Sequence, residues 1–313
     1  LSYKKLKKMR WRMLERLLLI LFSISFCSSA IALEKCKWNN QKGVPCVTIS
    51  KTPNTSLYNS QGINKKIFTR QQIIESGATT AVDVLKKVNG LDYYQTGQKG
   101  QQAAIFMRGS ESNHTLVMLN GIAINDQSAT NGLHDFGQDF IQTIQQVEVY
   151  KGANGAHFGP DAIGGAVNFV TDVDYTNSYS LNGFNFKNNS IDYNTTKITD
   201  SGWHLNFKGT SNHSKTDSAK AKGHEADGTK NYQVNLNGNR WLSDNLKLKS
   251  TFYYRDTKSD YDSSDTKEES VTSDNKMYAL QAGVEKKTEG LLDNLMFHYH
   301  NYDRKYYVRG KKD

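Results

Sequence analysis

Beyond Gly202 the chain alternates. Trp203, Leu205 and Phe207 are interleaved with His204, Asn206 and Lys208, and Tyr232, Val234 and Leu236 with Gln233, Asn235 and Asn237. Leu246, Leu248, Phe252 and Tyr254 are set against Lys247, Lys249, Tyr253 and Arg255. The pattern returns at Tyr278, Leu280, Ala282 and Val284, and again at Leu295, Phe297 and Tyr299. A period of two puts the apolar residues on one face of a strand and the polar residues on the other. Such strands suit a transmembrane β-barrel wall, with lipid against one face and a wet lumen against the other. The connectors agree. WLSDN (Trp241 to Asn245) and EGLLDN (Glu289 to Asn294) are short, whereas the segment from Asp256 to Lys276 is long, polar and charged. Outer-membrane barrels have short turns at one rim and long loops at the other. With 17 Tyr and 13 Phe against 3 Pro, strand formers are plentiful and strand breakers few. A secreted β-sandwich alternates too and is the competing architecture.

The formal net charge of +9 invites a nucleic-acid reading, but its distribution argues against one. Lys4, Lys5, Lys7, Lys8, Arg10, Arg12 and Arg16, less Glu15, supply +6 of it. No basic run with interleaved aromatics follows, so no nucleic-acid partner is expected. This basic stretch precedes LLLILFSISFCSSAIA, which ends on Ala30 and Ala32 in an A-x-A arrangement. It reads as a secretory signal over residues 1–32, cleaved after Ala32. The apolar run is too short to span a bilayer. Cys27 leaves with the signal, and Cys36 and Cys46 can close a short disulfide loop in an oxidising compartment.

Three segments follow the signal: a polar extension over 33–60, an α/β segment over 61–172, and the alternating strands over 173–313. In the α/β segment, Ile63 to Phe68 reads as a strand. Thr69 caps a short helix stopped at Gly77, and Thr80 opens a second helix in which Val82, Leu85 and Val88 share a face. Asn120-Gly121 between short apolar runs is a hairpin signal of type I′. Phe140 to Ile144 reads as one helical turn. The glycine-rich stretch GANGAHFGPDAIGGAVNFVT (Gly152 to Thr171) contains neither a Gly-Lys-Ser/Thr ending nor a G-x-G-x-x-G fingerprint, so nucleotide binding is not expected. No nucleophile elbow, paired acid or zinc spacing accompanies the isolated His114, His134 and His157, and an enzyme is not expected.

Four stretches carry a resemblance: VTIS (47 to 50), AVDVLKKVNGLDYYQTG (81 to 97), IFMRGSESNHTLVMLNGIAIN (105 to 125) and QQVEVYKGANGAHFGPDAIGGAVNFVT (145 to 171). Together they resemble the plug of a TonB-dependent outer-membrane receptor and, within that family, of its vitamin B12 (cobalamin) receptors. The resemblance implies an α/β plug inside a barrel of roughly 22 strands, of which about seven are readable in the alternating segment. On that count the sequence is expected to be a piece of a longer receptor, because an open sheet edge is not viable in hydrocarbon. A monomer in the outer membrane of a Gram-negative bacterium is implied, with outer-membrane lipid around it.

The resemblance also assigns roles. Val47, Thr48, Ile49 and Ser50 occupy the place of the box that pairs as a strand with the periplasmic domain of the TonB protein. Arg108, Glu148 and Lys151 become plug–barrel anchors, and the glycines of the Gly152 to Thr171 stretch are expected to lie against neighbouring strands and the barrel wall. The substrate-facing plug loops fall at Tyr94, Gln95, Gln98 and Gln101, and at Asn125, Asp126, Gln127, Ser128, Thr130 and Asn131. The second loop offers amides and hydroxyls without a cationic cluster, which favours cobalamin over a ferric siderophore or heme. Asp260, Asp262 and Asp265 suit a calcium ion of the kind the cobalamin receptors use to order their outer loops, although the lysines around them fit a solvated loop. A β-rich binding protein without transport is the alternative of a different class.

Overall fold

Two threonines start the helices of the α/β segment, each by the same device. Thr69 Oγ1 accepts from Gln72 N at 3.4 Å while Gln72 Oε1 accepts from Thr69 N at 3.0 Å. This capping box opens α1 (Arg70–Glu75). Thr80 and Asp83 repeat it at α2 (Ala81–Leu85). In a computed structural model the described residues are 64–309, apart from 98, 127–130, 153–157, 173–175, 186–187, 218–225, 263–269 and 289–290. They fall in one unit, Asn54–Asp313. The signal, Cys36, Cys46 and Val47–Ser50 lie outside them.

Strand β1 (Asn64–Thr69) precedes α1; β2 (Leu91–Gln95) and β3 (Ala103–Met107) form a separate two-stranded ribbon. Then come β4 (Thr115–Leu119), β5 (Ile122–Ala123), β6 (Gln146–Lys151) and β7 (Gly165–Val170). With β1 they make a five-stranded sheet in the order β1-β6-β7-β4-β5. Only the β4–β7 pair is parallel. The expected hairpin is present: Asn120 and Gly121 have φ of 52° and 83°, and Leu119 pairs with Ile122. Both positive φ values match a type I′ turn. The expected helical turn at Phe140 to Ile144 is a reverse turn closed by Ile144 N donating to Ile141 O at 3.1 Å, with Phe140 bridged to Thr80. That bridge holds the backbone extended, which a helix cannot accommodate.

The alternating region forms seven antiparallel strands in simple up-and-down order: β8 (Ser178–Asn185), β9 (Asn188–Ile198), β10 (Trp203–Asp217), β11 (Ala226–Ser243), β12 (Leu246–Asp262), β13 (Ser270–Thr288) and β14 (Leu291–Arg309). Its burial is inside out. On β11 the buried polar residues are Asp227, Thr229, Asn231, Gln233, Asn235, Asn237 and Asn239, while Tyr232 and Leu236 are exposed. Leu280 is 51% exposed and Phe297 74%. A soluble sandwich would bury the apolar face. Here the polar face is covered by the α/β segment and the apolar face is open, the distribution of a lipid-facing wall. Among the described residues no helix is long and apolar enough to cross a membrane.

The core lies in the α/β segment. Ile73, Val82, Leu85, Ile105, Val117, Leu119, Phe136, Val147, Val167 and Phe169 pack together, joined by Tyr253, Met277 and Ala279 from the wall.

Candidate functional site

The site is the contact between the α/β segment and the concave polar face of β10–β14, together with the loops that reach its long-loop rim. Three clusters build it.

At the rim with the long connectors, the loop after β2 presses against β11 and β12. Gln101 is buried; its Nε2 donates to Asp227 Oδ2 and to the Asp260 carbonyl, both at 3.1 Å. Thr229 Oγ1 donates to Lys99 O at 3.0 Å, and Ser259 Oγ to Gly100 O at 2.7 Å. Gly100 has a φ of +90°, and a Cβ there would stand 2.2 Å from Thr229 Cγ2. Gly100→Ala is therefore expected to cost about 1–3 kcal/mol, from the strained backbone and the overlap together. A lowered unfolding midpoint checks this, and an unchanged midpoint would show that the loop does not depend on this contact.

In the middle, Arg255 of β12 is fully buried and ion-paired to Asp139. Its other terminal nitrogen donates to Tyr302 Oη of β14 at 2.5 Å. Asp139 also meets His134 Nε2 at 2.6 Å. Beside it, Asp135 accepts from Ala103 N at 2.9 Å, Gly137 N at 3.0 Å and Gln138 Nε2 at 2.9 Å. Burial pushes the Asp135 carboxyl upward, against the pull of the Ala103 and Gly137 amides. Level with Arg255 in the ladder, Gln233 Nε2 donates to Phe140 O, and nearer the short-turn rim Gln281 Nε2 donates to Leu119 O, each at 2.8 Å. Asn120 Nδ2 donates to Gln281 Oε1 at 3.1 Å.

The described bonds of the expected anchors Glu148 and Lys151 lie within the α/β segment. Glu148 is buried within the five-stranded sheet, accepting from Lys65 Nζ at 2.8 Å, Gln146 Nε2 at 2.7 Å, and Tyr150 Oη and Asn168 Nδ2 at 2.8 Å each. These partners come from β1, β6 and β7, so its role is to tie strands together. Lys151 Nζ reaches Asn89 O at 3.4 Å, and Arg108 is exposed with a φ of 52°. None of the three meets a described wall strand in these bonds. Gly164 and Gly165 likewise press on Ser110 and Tyr150 of their own segment, and among the described glycines of the α/β segment it is Gly100 whose Cβ would meet a wall residue.

The substrate-facing residues divide. Tyr94 is 63% exposed, Gln95 half-buried and Asn131 exposed. Gln101, Asn125 and Asp126 are buried, which corrects their expected outward placement. Asn125 Oδ1 accepts from Val117 N at 2.8 Å and its Nδ2 donates to Gly132 O at 3.1 Å, closing the loop base. Asp126 pairs with Arg304 of β14 at 2.7 Å. Gln98, Gln127, Ser128 and Thr130 lie outside the described residues. Asp260 and Asp262 stand on β12, because the β12–β13 ladder continues to Asp262 and Ser270. Asp260 Oδ1 accepts from Thr272 Oγ1 at 2.7 Å, and Asp265 is outside the described residues. Among the described residues no three His, Cys, Asp or Glu side chains converge as a metal site.

Sequence reasoning missed His134, Asp135, Gln138 and Asp139 and their partners Arg255 and Tyr302. The available signal was a short stretch, HDFGQD, dense in hydrogen-bonding groups, and one arginine on the polar face of a strand.

Comparison with known proteins now bears on this geometry. Residues 59–166 match the model of the TonB-dependent Receptor Plug Domain. The chain is 40% identical over 105 residues to the vitamin B12 transporter BtuB of Vibrio vulnificus (strain CMCP6) and 41% identical to that of strain YJ016. Each match covers 34% of this chain and 17% of the relative's length. Among solved structures, the siderophore receptor PirA from Acinetobacter baumannii aligns with a TM-score of 0.60 at 18% identity, over 77% of this chain and 40% of that one. The unliganded ferric citrate transporter FecA aligns at 0.61 and 16%, over 79% and 41%. These structural likenesses concern the fold: a plug against barrel strands.

Proposed function

From a chain that carries a TonB-dependent receptor plug at residues 59–166, we propose a role in energised import of a scarce chelate across an outer membrane, with cobalamin as the chelate. The observation that carries this reading is the 40% identity to vitamin B12 transporters, confined to the plug. Loop chemistry supports it. The one cation between Tyr94 and Gln102 is Lys99, and its ammonium is engaged by Asp83 at 3.3 Å and Thr79 Oγ1 at 2.8 Å. The loop from Asn125 to Gly132 adds no cation. A ferric catecholate calls for several uncommitted positive charges. A corrinoid with amide arms needs neutral donors and acceptors, of the kind that Gln95 and Asn131 carry, and Tyr94 adds an exposed ring.

Energy would enter through Val47, Thr48, Ile49 and Ser50, offered as an unpaired strand to the periplasmic domain of TonB. The test is retention and uptake of labelled cobalamin by outer membranes and cells expressing the gene, with and without calcium, against ferric siderophore and heme controls. Saturable cobalamin binding, with uptake but not binding lost when residues 47–50 are deleted, is the expected result. Calcium dependence would bring Asp260, Asp262 and Asp265 into the site. Binding of a siderophore or heme instead of cobalamin would overturn the substrate and leave the import role. Uptake that survives the deletion would overturn the energised step.

A further inference from the structure

Strand β14 carries Met296, His298 and His300 at every second position, all half-buried. They share the face of Tyr302 and Arg304, whose side chains reach Gln138 and Asp126 of the plug, so this row faces the lumen. The opposite row, Leu295, Phe297 and Tyr299, is exposed and apolar. His298 Nε2 and His300 Nδ1 stand 2.8 Å apart, with ring centroids at 4.9 Å and planes inclined by 39°. The two imidazoles hydrogen-bond each other at this distance, and His298 Nδ1 is buried without a partner among the described residues.

We propose that His298 and His300 form a chelating pair for a divalent transition-metal ion, copper(II) ahead of nickel(II), with Met296 as a soft donor in the same row. The spacing carries the argument. At a metal–imidazole bond of about 2.0 Å, a nitrogen separation of 2.8 Å closes an angle of about 90° at the metal. That is the cis angle of the tetragonal geometry preferred by copper(II) and nickel(II). A tetrahedral zinc ion would want its nitrogens roughly 3.3 Å apart. Two residues on one strand face need no long-range closure to present both nitrogens, and neutral imidazole binds copper(II) most tightly among the first-row divalent ions. Neither histidine belongs to the substrate-facing loops, and the proposal does not depend on which chelate is imported.

The test uses the protein purified from outer membranes in detergent, with copper(II) sulfate as the probe. Because other histidines are present, the readout is the difference between variants. His298→Ala or His300→Ala is expected to weaken the tightest copper site at least about tenfold and to remove nitrogen couplings from its electron paramagnetic resonance spectrum. His213→Ala should leave both unchanged. A second measurement needs no variant: copper(II) should protect His298 and His300 from diethyl pyrocarbonate, mapped by mass spectrometry, and zinc should protect them less. An identical copper affinity in the His298→Ala/His300→Ala double variant, or full reactivity of both residues under copper, would overturn the proposal.

Discussion

Replacing Arg255 by Met is expected to destabilise the seated plug by about 3–5 kcal/mol, the usual cost of removing one partner of a buried pair. The guanidinium is fully buried between Asp139 and Tyr302, so its loss strands a carboxylate that keeps only His134 as a side-chain partner. The cost arises from that uncompensated charge more than from the missing contact. The double variant Arg255→Met/Asp139→Leu should therefore recover much of the loss. Hydrogen exchange over residues 134–141, with the β4–β7 sheet as internal reference, reads the effect locally. If exchange there is unchanged in the single variant, or if the double variant is no better than the single, the ion pair does not hold the plug to the wall.

Glu148→Gln should cost about 2–3 kcal/mol, because charged hydrogen bonds are the strong ones and this carboxylate collects four donors. It also leaves the Lys65 ammonium, itself 4% exposed, without its counter-charge. The same network sets an acid limit. Burial alone would raise the Glu148 carboxyl, but Lys65, Asn168 and Tyr150 together hold it below its ordinary value. A depressed carboxyl contributes its full stabilisation above the unfolded-state value of about 4.3 and loses it as pH falls toward the folded one. Glu148 should thus add nothing to the pH dependence of the unfolding midpoint from neutrality to about pH 5 and should add a decline below about pH 4.3, so that the acid limb is shallower in Glu148→Gln. Of the slope that is left, Asp83 adds to the decline, and Asp135, raised by burial, works against it. Burial opposes the ionisation of Asp83, and the Thr79 amide and Lys99 outweigh that, holding it low. Equal acid slopes in the two proteins would remove Glu148 from this account.

Local signals were legible wherever a short-range rule decides the backbone. Thr69 and Thr80 cap helices, Asn120-Gly121 turns the hairpin, and the alternation at Tyr232 and Leu236 orients a strand. Placement across long sequence distances was not. Asp139 and Arg255 are 116 residues apart, and no periodicity marks them as partners. Gln101 and Asp126 look like loop residues because their neighbours are polar and glycine-rich, yet each is buried by a strand far along the chain. Arg108, Glu148 and Lys151 were assigned by resemblance to the wall contact, and their described bonds lie within the plug segment. In each case the motif was in the sequence and its partner was a matter of topology.

The wall that meets the plug is lined mainly by Asn, Gln, Thr and Ser side chains, with Tyr253, Met277 and Ala279 as an apolar patch among them, and this determines how the two bodies can part. An apolar seam of the same extent would resist as one piece, since sliding it apart exposes area at about 25 cal/mol per Å² until contact is lost. Amide and hydroxyl contacts can instead be surrendered singly, each broken bond re-formed with an incoming solvent molecule, so the net cost per contact is about 1 kcal/mol. A pull applied at one end of the plug would then act as a zipper does, on a few links at a time. On this composition friction along the lumen is expected to be low, and the ion pair of Arg255 with Asp139 is where such a motion would pause.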